Sequence, residues 1–163
     1  MSNYKFLQEY IQSIPEYERR HYIHGYLNSG FILQNGISAF ELDRLQFEYG
    51  FSLPKELEDF YRFSYGALLN EIEIFTIPEI EKSINSLKPM DDLGRLENLI
   101  PFANLRGSGD TFAFDVTQEV DGYFLILDGF HEYPLGQWNG ICFGFHNWLT
   151  KLVENKFHPF WIV

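Results

Sequence analysis

The sequence predicts an α+β fold: a mostly antiparallel central sheet flanked by helices, with helices at the N-terminal end and a closing helix near the C-terminus. Three observations carry that expectation. Apolar residues recur at helical spacing in the first third of the chain, the period shortens to two between about residues 71 and 128, and helical spacing returns at Phe145. No regular strand-helix-strand alternation appears, so a doubly wound nucleotide fold is not expected.

Residues 3–28 carry Phe6, Leu7, Tyr10, Ile11 and Ile14, then Tyr22, Ile23, Tyr26 and Leu27, at helical spacing on either side of Pro15. Proline has no amide to donate, so this reads as two helices or one broken helix. Ser38 opens "SAFE", where its hydroxyl can cap a helix and Glu41 can reach back. In "FSLPKELEDFYRFSYG", Ser52 can cap, Pro54 suits a first turn, Leu57, Phe60, Tyr61 and Ser64 share a face, and Gly66 can end the run.

"EIEIFTI", Glu71 to Ile77, alternates and predicts a strand, followed by a short helix near Glu79 to Leu87. "LIPFANL" predicts a short strand. "TFAFDV" alternates and is expected half exposed, whereas "GYFLILD" is apolar on both faces and is expected central in the sheet. "FHEYPLGQWNGI" reads as loop or irregular edge strand, "FGFHNWLTKLVEN" as the closing helix, and the aromatic tail "FHPFWIV" is expected to dock on the domain.

At 163 residues and 45% hydrophobic composition, the chain suits a single domain spanning 1–163. Twelve Lys and Arg stand against 23 Asp and Glu, a formal charge of −11. Such a surface repels phosphate backbones and anionic lipids and speeds encounter with a basic protein partner. Cys142 is the only cysteine, so no internal disulfide can form. The N-terminus has no basic segment followed by an apolar stretch, and no apolar run approaches the ~20 residues that cross a bilayer. A cytoplasmic setting is the expectation.

Gly107-Ser108-Gly109-Asp110 invites a reading as a phosphate cradle, yet no Gly-Lys-Ser/Thr follows and no helix begins there. A nucleophile elbow would need a helix after Ser108, and a strand follows instead. The remaining reading is a turn in which Gly107 and Gly109 take positive φ and Asp110 accepts nearby amides.

His21 and His24 would share a helical face but lack a third ligand, and His131, His146 and His158 are scattered. Asp91, Asp92, Asp110, Asp115 and Asp128 could meet around a cation, though no spacing demands it, and a hydrolase using Asp110 and His131 would need a stronger constellation. No cofactor or metal is expected. Cys142, between Ile141 and Phe143, reads as core.

Glu71 and Glu73 share one strand face and, with Glu79 and Glu81, form the densest acidic stretch. That stretch, with Asp91 and Asp92, is the first choice for contact with a basic partner. Trp138 in "GQWNG" is either an exposed anchor or a side chain folded back over the sheet.

In order and spacing, the Leu53-Pro54 helix start, the aromatic run ending at Gly66, "IPFA" at 100–103, the Gly-x-Gly-Asp turn at 107–110 and the aromatic strand ending at Asp115 carry a resemblance. Over about residues 37–153 the chain resembles the yeast cell-wall assembly regulator (Smi/Knr-type) family of the SUKH superfamily. Tyr65 stands where that family often has asparagine, and residues 1–36, read here as a helical extension, have no counterpart in it. The resemblance implies an α+β domain with no established enzymatic activity. Small bacterial members resemble immunity proteins that neutralise a cognate toxin, whereas fungal members act as regulatory scaffolds of cell-wall synthesis or signalling. The compact chain is similar to the bacterial kind, with a secreted or contact-delivered toxin as the implied basic partner.

Overall fold

The first helix, α1 (Lys5–Ser13), turns Leu7 and Ile11 inward, and Pro15 ends helical structure as expected. The chain does not then form a second helix. After a 3-10 turn at Glu16–Glu18 come two strands, β1 (Arg20–Ile23) and β2 (Tyr26–Leu33), joined at His24 (φ 51°) and Gly25 (φ 80°). Two consecutive positive φ values make the tight hairpin turn whose twist matches that of the strands, and helical spacing cannot persist through it. His21 and His24 therefore sit on a strand and a turn, with no shared helical face. The computed structural model describes residues 3–91 and 93–162.

Helix α2 (Ala39–Tyr49) starts at Ser38, whose hydroxyl accepts the Glu41 amide at 3.1 Å, and stops at Gly50 in the left-handed region. The Glu41 carboxylate turns to Arg44 rather than back to the cap. Helix α3 (Lys55–Phe63) begins after Pro54, so Ser52 does not cap it. Its buried Leu57, Phe60 and Tyr61 form the stripe that the spacing predicts.

The alternating segment is split differently from its sequence reading. Strand β3 (Ala67–Asn70) precedes Glu71 and turns at Asn70 (φ 60°) into β4, which spans only Ile72–Ile74. Helix α4 (Ile77–Leu87) starts two residues early, behind a capping box of Thr76 and Glu79.

Strands β5 (Leu99–Leu105), β6 (Thr111–Val120), β7 (Tyr123–Gly129) and β8 (Asn139–Phe143) come next, then α5 (Phe145–Glu154). Among the described residues the eight strands form one antiparallel sheet in chain order, β1 to β8. Pro101 is tolerated in a central strand because the register shifts between it and Ala103.

The expected exposure of β6 differs: Thr111 to Phe114 are buried on both faces rather than half exposed. Strand β7, flanked by β6 and β8, is buried on both faces at Ile126 and Leu127 as expected, but lies next to the edge and begins exposed at Tyr123. The reason is cover on the second face. One face carries Phe102, Phe112, Phe114 and Ile126 against Phe60, Phe145 and Trp148 of the helices, in the main core. The other holds Ala113 and Leu127 beneath Leu87, Leu96, Leu135 and Trp138, partly from the 3-10 segments Arg95–Asn98 and Leu135–Gln137. The tail docks as expected: Phe157 is buried, and the Trp161 indole N–H donates to Asp128 Oδ2 at 2.9 Å.

Candidate partner-binding surface

Several clefts carry carboxylates, and two of them gather Glu56, Asp59 and Asp121 in one and Glu73 and Glu79 in the other. The larger, about 830 Å³, opens between the β6–β7 turn and the N-terminal ends of α3 and α5. Val120 and Tyr123 flank the turn Asp121 (φ 52°) and Gly122 (φ 86°), a conformation that Asp-Gly adopts readily. This puts Asp121 and Tyr123 on the rim opposite Lys55, Glu56 and Asp59 of α3.

Glu56 fixes the geometry. Helix α5 has Gly144 (φ 92°) at its N-cap and hence no capping side chain of its own. The Glu56 carboxylate replaces it, accepting the amides of Phe145 at 2.7 Å and His146 at 3.3 Å, where the helix end favours negative charge. An added Cβ on Gly144 would lie 3.3 Å from Glu56 Oε2 and from the Tyr123 ring, so glycine also permits this close approach. From α1's approach, the Tyr4 hydroxyl donates to the Glu56 carbonyl at 3.0 Å. Burial, then Glu56 and Asp59, hold the Tyr4 phenol far above its usual range, so it stays a neutral donor.

Lys55 pairs with Asp59 one turn on, and its ammonium pKa is raised chiefly by that bond. Asp121 has neither a hydrogen bond nor an ion pair in the described structure. Glu56, Asp59 and Asp121 thus face one lysine, beside exposed Tyr123 and Val120.

The second cleft, about 520 Å³, lies on the open face of β2 to β4 over Leu27, Ile32 and Leu68. It brings together two sequence candidates, Glu73 and Glu79, but both are engaged. Glu73 Oε2 lies 3.5 Å from Arg106 Nε, and Glu79 accepts the Thr76 amide at 2.9 Å in the capping box.

The other candidates do not join them in either cleft. Glu71 is exposed in the β3–β4 turn and Glu81 is exposed on α4. Asp91 accepts the amides of Arg95 at 2.8 Å and Leu96 at 3.1 Å, and Asp92 lies outside the described residues. Trp138 is not an exposed anchor. It is 8% exposed, stacks so closely on Gly129 that an added Cβ would meet its ring at 2.8 Å, and donates its indole N–H to the Tyr133 carbonyl.

At the glycine turn, Gly107 and Gly109 have φ of 86° and 81°. Asp110 Oδ1 accepts the His131 amide at 3.1 Å and lies 2.8 Å from the ring Nδ1, tying the β5–β6 turn to the segment after β7. Among the described residues no group of three or more His, Cys, Asp or Glu could hold a metal ion. Cys142 is buried and its thiol is pushed up to about 11, chiefly by burial. No helix among the described residues is long and apolar enough to cross a membrane.

With this arrangement in place, comparison with known families is decisive: residues 36–151 match the SMI1 / KNR4 family (SUKH-1). The chain belongs to that family. Among curated proteins none matches it.

The SUKH-1 match runs from just before α2 into α5, so Glu56, Asp59, Asp121 and Tyr123 fall inside it. Helix α1 and the β1–β2 hairpin fall outside it. The sequence reading missed the larger cleft because its carboxylates are 65 residues apart in the chain, from Glu56 to Asp121. Only Asp121-Gly122, a hairpin-turn dipeptide between apolar runs, marked one rim locally.

Proposed function

We propose that this SUKH-1 protein is a non-enzymatic binding protein of the immunity type, which neutralises a basic toxin by covering its active or docking surface. The observation that carries the reading is the larger cleft, where Asp121, with no ion pair among the described residues, stands beside exposed Tyr123, while Glu56 caps α5 and Asp59 pairs with Lys55. Carboxylates next to an aromatic ring suit lysine or arginine side chains, which gain from both ion pairing and the ring face. The charge of −11 adds long-range attraction that speeds encounter.

Within the acidic stretch, Glu71 and Glu81 are the carboxylates left to steer the partner, because Glu73 and Glu79 are already engaged. Stopped-flow association with the toxin at graded salt tests the assignment. Asp121→Lys is expected to weaken the complex and slow association. Glu71→Lys with Glu81→Lys is expected to slow association and flatten its salt dependence. Rates and affinity unchanged in both variants would remove the acidic surface from the interface.

A further inference from the structure

Strand β1 is the first in the sheet, so one side of it has no β neighbour, and all four of its residues are exposed. Its outward hydrogen-bonding groups can be assigned. Ile23 and Tyr26 close a two-residue turn and so form a hydrogen-bonded pair. The register shifts between His21 and Tyr22, where Asn28 of β2 is the extra residue, so inward and outward backbone groups still alternate along β1. This leaves the N–H and C=O of Arg20 and Tyr22 pointing away from β2. The Phe31 amide donating to the Arg19 carbonyl at 2.8 Å fits that alternation. Arg20 and Tyr22 also share one face of the strand.

We propose that β1 docks a second copy of this chain, antiparallel, across a two-fold axis at His21. Arg20 of each copy then stands opposite Tyr22 of the other. Both outward pairs are satisfied, which forms four backbone hydrogen bonds, and each guanidinium lies beside a tyrosine ring. The interface is self-complementary, as a two-fold contact must be, and it joins two sheets into one.

Charge selects this edge. Two copies of −11 repel wherever carboxylates meet, but between Glu18 and Glu41 the chain holds no Asp or Glu. That acid-free stretch contains the hairpin, and the hairpin exposes Tyr22 (57%), Ile23 (46%) and Tyr26 (80%) as a local apolar patch. It also lies outside the residues that match the SUKH-1 family, so the site belongs to this chain's own extension of the sheet.

Sedimentation equilibrium of the full chain over about a hundredfold concentration range, into the high micromolar, tests it. The wild type is expected to rise from the monomer mass to twice that mass. Tyr22→Pro removes an outward N–H and leaves the β1–β2 ladder intact, and His21→Lys sets two like charges across the axis. Both variants are expected to stay monomeric with unchanged melting curves. If the proline variant fails to fold, His21→Lys, altered only at an exposed side chain, decides alone. A wild type that remains monomeric throughout overturns the proposal, as do folded variants that still dimerise. Loss of a complex with another protein in these variants, with the wild type monomeric, overturns it in favour of a foreign strand on the same edge. None of these outcomes depends on toxin binding.

Discussion

Glu56 shows how one side chain can serve both fold and surface. It supplies the cap that Gly144 cannot, so Glu56→Ala should lower stability by about 1–2 kcal/mol in urea titration, in the range for a lost N-cap. Glu56→Gln, which keeps an acceptor, should lose less. Asp128 behaves differently. Burial first, and Asp110 as well, raise its carboxyl pKa, while the Trp161 bond opposes the rise. A group raised above its unfolded value contributes stability below the unfolded pKa and loses it as pH climbs through the folded one. Ionised Asp128 is therefore a liability at neutral pH, and Asp128→Asn, which still offers an oxygen to Trp161, should melt no lower than wild type at pH 7. A clearly lower melting temperature would show that the charge itself holds the tail. The same sign applies to Cys142: its thiol, pushed up to about 11, stays protonated at neutral pH and should resist alkylation until the chain unfolds.

At the scale of elements, Trp138 and the 3-10 segments form a lid over the second sheet face. Trp138→Ala should cost about 3–5 kcal/mol in urea titration, as other buried aromatic truncations do. Some elements were legible and others were not, for physical reasons. The α3 stripe of Leu57, Phe60 and Tyr61 and the Ser38 cap follow from local spacing, and they stand where the spacing put them. Helical spacing in residues 22–27 was misleading, because a hairpin turn at His24-Gly25 overrides periodicity over so short a span. Trp138 could not be placed from "GQWNG", since its cover comes from Leu87 and Leu96, far away in the chain. The larger cleft was illegible for the same reason: the pairing of β6 with β7 and the capping of α5 by α3 bring its walls together.

For the whole molecule, the sheet is a plain meander, and its two sides have separate tasks. Helices α1, α3 and α5 contribute to the main core on one side, while smaller cover on the other leaves the β2–β4 face open. The outside presents a SUKH-1 domain with an acid surplus and carboxylates gathered beside a tyrosine. The central claim is that such a molecule works by binding a basic toxin. Co-expression with a candidate basic toxin, read as growth and as a complex recovered by pull-down, tests that most directly. Growth rescued by the wild type and impaired by Asp121→Lys, with the complex lost in parallel, is the predicted result; no rescue and no complex with the wild type would contradict it.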